Sequence, residues 1–198
     1  MAKKKKSFIK IIVVFVVYLA AAALAIYLIT NYLNRPGFVR YPAFGIPVPV
    51  NYSIHGIDVS HHQAAINWTD VKNMKDKNIK IGFAFIKATE GLSNVDNAYR
   101  RNWFKAKEAK LPRGAYHFFI SSKSGKAQAE NFIETVTLEK GDMPPVLDIE
   151  QTNGASVEDL QQRVKDWLTA VEKQFKVKPI IYTNVDFYTR NLGDEFDA

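Results

Sequence analysis

The chain has 198 residues, 47% of them hydrophobic, which is enough for one domain with a sizeable core. Its formal charge of +7 comes from the N-terminal quarter, because residues 1–53 hold seven of the 27 Lys and Arg residues and none of the 20 acids. Residues 54–198 are therefore neutral overall and lack the basic excess of a nucleic-acid-binding domain. The absence of cysteine excludes disulfides, thiolate nucleophiles and cysteine-based zinc sites.

An uncharged apolar run, Ile11 to Thr30, follows a cluster of four lysines. A helix needs about 20 apolar residues to cross a bilayer, and basic residues favour the cytoplasmic side. The alternative is a cleaved signal peptide, but its apolar region is usually about 7–15 residues long and ends at small residues. Here the alanines lie in the middle of the run. We predict a cytoplasmic tail over residues 1–10 and an uncleaved membrane anchor over residues 11–30.

Residues 31–53 contain four prolines and few helix-forming residues. This composition predicts an extended linker with polyproline character, which would hold the following domain away from the cytoplasmic membrane. The domain itself, residues 54–198, would then lie on the periplasmic or extracellular side.

From residue 54 onward, short apolar runs alternate with helical patterns. The predicted strands are Ile54 to Val59, Ile79 to Ala88, Gly114 to Phe119, Pro145 to Ile149 and Pro179 to Tyr182. The predicted helices are Trp68 to Lys77, Ala98 to Lys110, Lys126 to Leu138, Val157 to Phe175 with Ser156 as its cap, and a last one from Asp186 to Asn191. The alternation predicts an α/β fold with a parallel sheet or barrel, in which chemistry gathers at the carboxyl ends of the strands.

Two carboxylates, Asp148 and Glu150, stand where the fourth predicted strand ends. On a strand, residues two apart point to the same side, with Cα atoms about 6–7 Å apart. Two neighbouring carboxylates in a partly dry cleft cannot both ionise freely, so one of them becomes a proton donor. The alternative is an ordinary strand end whose acids cap the next helix or face solvent.

The other predicted strand ends are also polar or aromatic. They carry Asp58, then Lys87 and Glu90, then Tyr116 and His117, and finally Tyr182. Carboxylates that bond sugar hydroxyls and rings that stack on the apolar face of a sugar are typical of glycan sites.

Five motifs, in one order along residues 54–183, resemble those of the glycoside hydrolase family 25 lysozymes. They are Gly56 to Ser60 with Gln63, Ile86 to Gly91, Gly114 to Phe118, Pro145 to Glu150, and Ile181 to Thr183. The resemblance implies an irregular TIM-like (β/α) barrel that hydrolyses the β-1,4 bond between N-acetylmuramic acid and N-acetylglucosamine in peptidoglycan. No cofactor is expected.

The resemblance also implies roles for individual residues. Glu150 matches the general acid, Asp148 its partner carboxylate, and Asp58 the acid of the first strand. The proton-donor role would require Glu150 to be partly buried beside Asp148. The positions that match substrate-binding or neighbouring residues are Tyr116, Tyr182, His117, Lys87 and Glu90.

Several of these residues have a structural alternative. His117 alternates with apolar neighbours and fits a core histidine as well as a substrate contact, and Lys87 fits an ion pair with Glu90 or Asp148. His61 and His62 are candidate metal ligands, because imidazole groups bind zinc. However, the side chains of adjacent histidines on a loop point in different directions, and the sequence shows no third ligand at a suitable spacing, so no metal site is predicted. Trp68, Trp103 and Trp167 lie on predicted helices and are expected in the core.

Members of this family usually continue for several tens of residues beyond the position that corresponds to Ala198. Five strands cannot close a barrel, so we expect a fragment or a truncated form. Besides the muramidase, two alternatives are a non-catalytic glycan-binding module or inactive remnant, and a hydrolase of chitin or another N-acetylglucosamine polymer.

Overall fold

The computed structural model describes residues 2–33, 37–42, 44–50, 52–77 and 79–196. The chain divides into two compact units, residues 1–53 and residues 54–198.

The first unit contains one long helix and a hairpin. Helix α1 spans Ala2–Leu33, and its segment Ile12–Leu33 has a mean hydropathy of 2.8, so it is long and apolar enough to cross a membrane. Strands β1 (Phe38–Arg40) and β2 (Pro47–Pro49) pair antiparallel. The prediction of an extended polyproline linker is therefore wrong for this segment, because the two prolines of β2 are accommodated in a two-stranded hairpin. Residues 34–36, 43 and 51 of the predicted linker lie outside the described residues.

The second unit is built on a parallel sheet of five strands. They are β3 (His55–Val59), β5 (Ile79–Glu90), β7 (Arg113–Phe118), β8 (Val146–Asp148) and β9 (Ile180–Tyr182). The strands lie side by side in chain order, each parallel to the next, as the alternating pattern predicts. Two short strands, β4 (Lys75–Asp76) and β6 (Asn94–Val95), pair antiparallel with the two ends of β5.

Helices connect successive parallel strands. They are α2 (Trp68–Asn73), α3 (Tyr99–Glu108), α4 (Gly125–Thr135) and α5 (Val157–Phe175). Helix α5 has the predicted limits because Ser156 caps it, its hydroxyl accepting a hydrogen bond from Asp159 N at 3.2 Å. Helix α2 ends earlier than predicted, since the chain turns into β4 and Lys77 takes a positive φ of 53° at the turn.

The core lies between the sheet and the helices. Phe132 of α4 and Trp167 of α5 are completely buried, and their rings lie 5.4 Å apart. The two helices approach so closely that a Cβ atom on Gly125 would lie 1.9 Å from the backbone oxygen of Arg163. Trp68 is also buried, whereas Trp103 is partly exposed and lies beneath the Arg113 guanidinium group, 3.9 Å from its ring centre.

The last described segment is helical, as predicted. Helix α6 (Val185–Phe187) begins at Asn184, whose side-chain oxygen accepts a hydrogen bond from Phe187 N at 2.8 Å. A π-helical turn, Tyr188–Leu192, and a 3-10 turn, Gly193–Phe196, follow it. Leu192 is buried and joins this segment to the core.

Candidate active site

The carboxyl ends of the five parallel strands bring most of the predicted site residues to one edge of the sheet. Tyr116 is paired in register with Lys87, and Asp148 with both Phe118 and Tyr182. Asp58 lies near the end of the neighbouring strand β3. Residues distant in sequence thus become neighbours because each strand ends at the same level.

A cavity of about 290 Å³ opens at this edge. Its lining comprises Gly56, Ile57, Asp58, Phe83, Phe85, Tyr116, Val146, Asp148, Ile180, Ile181 and Tyr182. Four residues predicted from the sequence are therefore brought together: two acids, Asp58 and Asp148, and two tyrosines, Tyr116 and Tyr182. The rest of the lining is mostly apolar, so carboxylates here act in a setting drier than open solvent.

Two phenylalanines of β5 in the cavity lining depend on glycines in the adjacent strands. A Cβ atom on Gly56 would lie 2.2 Å from the Phe83 ring, and one on Gly114 would lie 2.4 Å from the Phe85 ring. The two rings meet edge to face, with centres 5.4 Å apart. Our sequence reasoning missed both phenylalanines, although their spacing of two on a predicted strand places them on one face.

Asp148 is the half-buried acid of the site. Burial raises its pKa to about 7, and the negative charges of Glu150 and Asp58 add to the effect, while the positive charge of Lys87 opposes it. One of its carboxyl oxygens, Oδ1, is buried without a hydrogen-bond partner among the described residues. Asp148 can therefore hold a proton near neutral pH.

Glu150 lies two residues beyond the end of β8 and is exposed. The expected partial burial of Glu150 is therefore wrong, because the strand ends at Asp148 and the next buried residue, Ile149, points into the core. Glu150 is not among the residues that line the cavity, but its charge raises the pKa of both Asp148 and Tyr182. It thus lies at the rim, within electrostatic range of the cavity.

The two tyrosines differ in accessibility. Tyr116 is half-buried, and burial raises the pKa of its phenol, with further contributions from the charges of Asp58 and Asp148. Tyr182 is 56% exposed, and burial of the remainder, followed by the charge of Glu150, raises its pKa. Both phenols therefore stay protonated and can donate hydrogen bonds, and the exposed face of Tyr182 is open to stacking.

Lys87 and Glu90 form an ion pair with Nζ and Oε2 2.5 Å apart, as in the structural alternative. The Lys87 ammonium group also lies 4.8 Å from the centre of the Phe118 ring. Neither residue lines the cavity, and Lys87 is buried. Its effect on the site is electrostatic, because its charge opposes the rise in the pKa of Asp148.

His117 does not face the cavity. Its side chain is completely buried on the opposite side of the sheet, where it stacks on Trp167 with ring centres 5.8 Å apart. Thr89 Oγ1 lies 2.7 Å from Nδ1 and Gln128 Oε1 lies 3.2 Å from Nε2. The prediction of substrate contact is wrong for this residue, since the neighbours Tyr116 and Phe118 take the cavity side and strand alternation sends His117 to the core.

The burial of His117 also determines its charge. Burial lowers the pKa of the imidazole to about 4, so the ring is neutral at physiological pH. Gln128 Oε1 accepts a hydrogen bond from Ile120 N at 2.8 Å, so it also acts as an acceptor toward the ring. This assigns the ring hydrogen to Nε2 and leaves Nδ1 as the acceptor for the Thr89 hydroxyl group.

His61 and His62 follow β3 in a 3-10 turn, with ring centres 4.0 Å apart. No group of three His, Cys, Asp or Glu residues suited to a metal ion occurs in the part of the chain that the structure describes. His61 instead contacts Asp96, a residue that the sequence reasoning missed, with Nδ1 and Oδ2 2.6 Å apart. The only local sign of Asp96 is its position two residues before the N-cap of α3, because its contact with His61 spans 35 residues of chain.

The family model described as glycosyl hydrolases family 25 matches residues 57–197. The uncharacterized protein YegX of Escherichia coli strain K12 is 46% identical over 169 residues, which is 85% of this chain and 62% of that protein. Lysozyme M1 of Streptomyces globisporus is 34% identical over 150 residues, 71% of this chain and 49% of that protein. The chain thus spans roughly half to three fifths of the length of these curated relatives.

Solved structures give the same result. A family 25 glycosyl hydrolase from Bacillus anthracis superposes with a TM-score of 0.69 at 34% identity, covering 74% of this chain and 68% of that one. A bacterial lysozyme from Streptomyces coelicolor superposes with a TM-score of 0.65 at 32% identity, covering 72% and 68%. The parallel sheet with its connecting helices is the fold of these enzymes, and the chain belongs to glycosyl hydrolase family 25.

Proposed function

We propose that this protein is a membrane-anchored muramidase that hydrolyses the β-1,4 bond between N-acetylmuramic acid and N-acetylglucosamine in peptidoglycan. The observation that carries the proposal is the cavity in which two acids, Asp58 and Asp148, meet two tyrosines, Tyr116 and Tyr182. Acids that act on a glycosidic bond, beside rings that stack on sugars, meet the needs of glycoside hydrolysis. Membership of the family and the printed name of the Streptomyces globisporus relative, a lysozyme, support it.

In this mechanism Glu150 protonates the leaving glycosidic oxygen. Its exposed position at the rim suits the role, because an incoming glycan chain would cover it and remove water from it. Protonation of the bridging oxygen then assists cleavage as positive charge develops on the sugar ring.

Asp148 has a different role. With a pKa of about 7, it suits orienting the substrate's N-acetyl group by accepting a hydrogen bond from its N–H. The carbonyl oxygen of that group would attack the anomeric carbon as the glycosidic bond breaks, and water would then open the resulting ring while Glu150, now ionised, takes the water's proton. Direct attack on the anomeric carbon would need a fully ionised carboxylate. Asp58, across the cavity, would stabilise the positive charge that develops on the ring.

The proposed function also assigns a role to each segment of the chain. The five parallel strands would form part of an irregular TIM-like (β/α) barrel over residues 54–198, held outside the cytoplasmic membrane by an anchor within Ile12–Leu33. Residues 1–10 would lie in the cytoplasm and residues 31–53 would connect anchor and domain. Alkaline extraction of membranes is expected to leave the protein in the pellet, whereas release of a shortened chain would indicate a cleaved signal peptide.

A Glu150→Gln variant tests the enzymatic function. The substitution removes the proton donor at an exposed position, so folding is expected to be unchanged while clearing of peptidoglycan in a zymogram is lost. Glu158→Gln, at an exposed position in the first turn of α5, is the matched control and is expected to keep full activity. A Glu150→Gln protein that clears cell walls at the wild-type rate would contradict the assignment.

One observation favours a second candidate, a glycan-binding module without catalysis: Glu150 is exposed and does not line the cavity. Such a module would bind insoluble cell wall but release no reducing ends. Measuring both quantities on the wild-type chain separates the two functions. A parallel reaction on chitin identifies a hydrolase of N-acetylglucosamine polymers, because reducing ends would then appear from chitin at least as fast as from peptidoglycan.

A further inference from the structure

A histidine and an aspartate form a hydrogen-bonded pair beside the cavity. Asp96 Oδ2 accepts hydrogen bonds from His61 N at 3.0 Å and lies 2.6 Å from His61 Nδ1, while Oδ1 accepts one from Ala98 N at 2.9 Å. The Asp96 side chain is only 1% exposed, so its carboxylate is fixed by these donors. Asp96 in turn fixes the position of the His61 ring.

The charge state of Asp96 assigns the tautomer of His61. Burial alone would raise the pKa of Asp96, but hydrogen bonds from His61 and Ala98 outweigh this effect and hold the pKa below its usual value. An ionised carboxylate only accepts, so Nδ1 of His61 carries a hydrogen. The other ring nitrogen, Nε2, has no hydrogen-bond partner within the described ranges, and the side chain is 42% exposed. The pair therefore presents one oriented and accessible nitrogen to a ligand.

The pair lies at the same sheet edge as the cavity. His61 begins the turn that directly follows β3, three residues after Asp58, and Asp96 N donates to Ala88 O near the end of β5 at 2.9 Å. The charge of Asp96 also contributes to the raised pKa of Tyr116, which lines the cavity. His61 itself is not a lining residue, and the pair lies near the cavity through its position at the ends of β3 and β5.

The charges of this edge indicate what the accessible nitrogen would bind. Asp58 and Glu150 are acids, Asp148 holds a proton near neutral pH, and the nearby ammonium group of Lys87 is buried in its pair with Glu90. A substrate that carries a carboxylate would be repelled by the charges of Asp58 and Glu150 unless a hydrogen-bond donor received it. A protonated imidazole held by a carboxylate is such a donor, since both its nitrogens then carry hydrogen.

We infer that His61, oriented by Asp96, is a substrate-binding residue that receives a carboxylate of the glycan substrate through Nε2. This inference rests on the proposed function. The carboxylate has two possible sources, the lactyl group of peptide-free N-acetylmuramic acid or the stem peptide attached to it. In either case His61 favours binding of acidic glycans over neutral N-acetylglucosamine polymers, which have no carboxylate for it to bind.

Binding of soluble fragments to the full-length chain in detergent tests the inference. The probes are a peptide-free tetrasaccharide of alternating N-acetylmuramic acid and N-acetylglucosamine, its lactyl methyl ester, and the same tetrasaccharide with stem peptides. At pH 5.5, His61→Gln is expected to weaken binding of a carboxylate-bearing probe about tenfold to a hundredfold, the scale of one charge-assisted hydrogen bond, without changing binding of the neutral ester. Loss with the first probe identifies the lactyl group, and loss with the peptide-bearing probe alone identifies the peptide.

The control is His62→Gln, since His62 is exposed and its ring contacts that of His61, with centres 4.0 Å apart, but it forms no hydrogen bond with Asp96 in the described part of the chain. It is expected to leave all three affinities unchanged. Equal weakening of the charged and neutral probes by His61→Gln would show a structural role and overturn the inference, as would no weakening at all. Wild-type protein that binds none of the probes would overturn the proposed function itself, and the inference with it.

Discussion

Asp148 is half-buried where β8 ends, whereas Glu150, only two residues later, is exposed at the rim of the same cavity. The doublet is thus divided between two environments. The buried member has its pKa raised to about 7 and holds a proton near neutral pH, and the exposed member is accessible to a large substrate. Since the charge of Glu150 helps to raise the pKa of Asp148, any substrate that covers Glu150 will also change the protonation of Asp148.

The first prediction concerns Asp148 and stability. Its pKa in the folded protein, about 7, lies above its ordinary value of 3.8, so the folded state binds the proton more tightly. Stability from this group is fully present below about pH 4 and is lost as pH rises through 7. Asp148→Asn removes the charge, so at pH 8 the free energy of unfolding is expected to rise by roughly 1–3 kcal/mol, with little difference near pH 4.

Urea unfolding of the full chain in detergent at both pH values measures this effect. Asp186→Asn, at an exposed position on α6, is the control and is expected to change stability little at either pH. An Asp148→Asn variant that is less stable than wild type at pH 8 would contradict the prediction.

The second prediction concerns Lys87, whose charge opposes the rise in the pKa of Asp148. Lys87→Met removes that charge and leaves a side chain of similar length beside Phe118. The pKa of Asp148 is expected to move above its wild-type value, and the cell-wall hydrolysis profile is expected to shift to higher pH on the limb that Asp148 controls. Infrared or NMR titration of the carboxyl group measures the shift directly.

Lys105→Met is the matched control for Lys87→Met, because Lys105 also pairs with a glutamate three residues later but lies on the exposed surface of α3. It is expected to leave the titration unchanged. An Asp148 pKa that stays the same or falls in Lys87→Met would show that the lysine does not tune the site.

The third prediction concerns His117. Its pKa in the folded protein is about 4, below the ordinary 6.5. Between pH 6.5 and pH 4 the unfolded chain therefore binds a proton that the folded state does not bind. Stability is therefore lost as pH falls through this window. His117→Gln is expected to lower the free energy of unfolding at pH 7 by roughly 1–3 kcal/mol through lost packing and hydrogen bonding.

The same variant is also expected to lose less stability than wild type between pH 7 and pH 4.5. Thermal unfolding across the pH range compares the slopes. His62→Gln, at an exposed position, should keep the wild-type slope. If His117→Gln loses as much stability on acidification as wild type, the buried ring is not the titrating group.

The sheet and four residues of the cavity lining followed from local patterns, and the exceptions have physical reasons. Apolar runs ending in polar residues located the five strands, and parallel neighbours necessarily bring Asp58, Asp148 and Tyr182 to one edge. The sequence left His117 open between the core and a substrate contact, and the structure places it in the core. The pairing of His61 with Asp96 could not be predicted, because it joins two strand ends across 35 residues.

Two other differences between the predicted and the observed structure arise because tertiary contacts outweigh the local sequence preference. Helix α2 stops at Asn73 because Lys75–Asp76 pair through backbone hydrogen bonds with the start of β5. The helical pattern of the sequence gives no sign of this pairing. The burial of Glu150 depended on where β8 ends, and the ends of elements are the least predictable part of a chain.

The last prediction concerns the contact between α4 and α5. A methyl group on Gly125 would lie 1.9 Å from the backbone oxygen of Arg163, which cannot move aside as a side-chain end could. Alanine is the better helix former by about 1 kcal/mol, but pushing two packed helices apart typically costs about 1–3 kcal/mol or more. Gly125→Ala is therefore expected to lower the free energy of unfolding, measured by urea denaturation.

Gly82→Ala provides the comparison, because a methyl group there would meet its nearest neighbour, the backbone oxygen of His55, at an ordinary 3.4 Å. It is expected to be much closer to wild type in stability. Since α4 and α5 carry the chain between β7, β8 and β9, displacement of these helices should also shift the strand that holds Asp148 and reduce activity on cell walls. A Gly125→Ala protein as stable as Gly82→Ala would show that the helices separate freely and that the close approach does not hold the site.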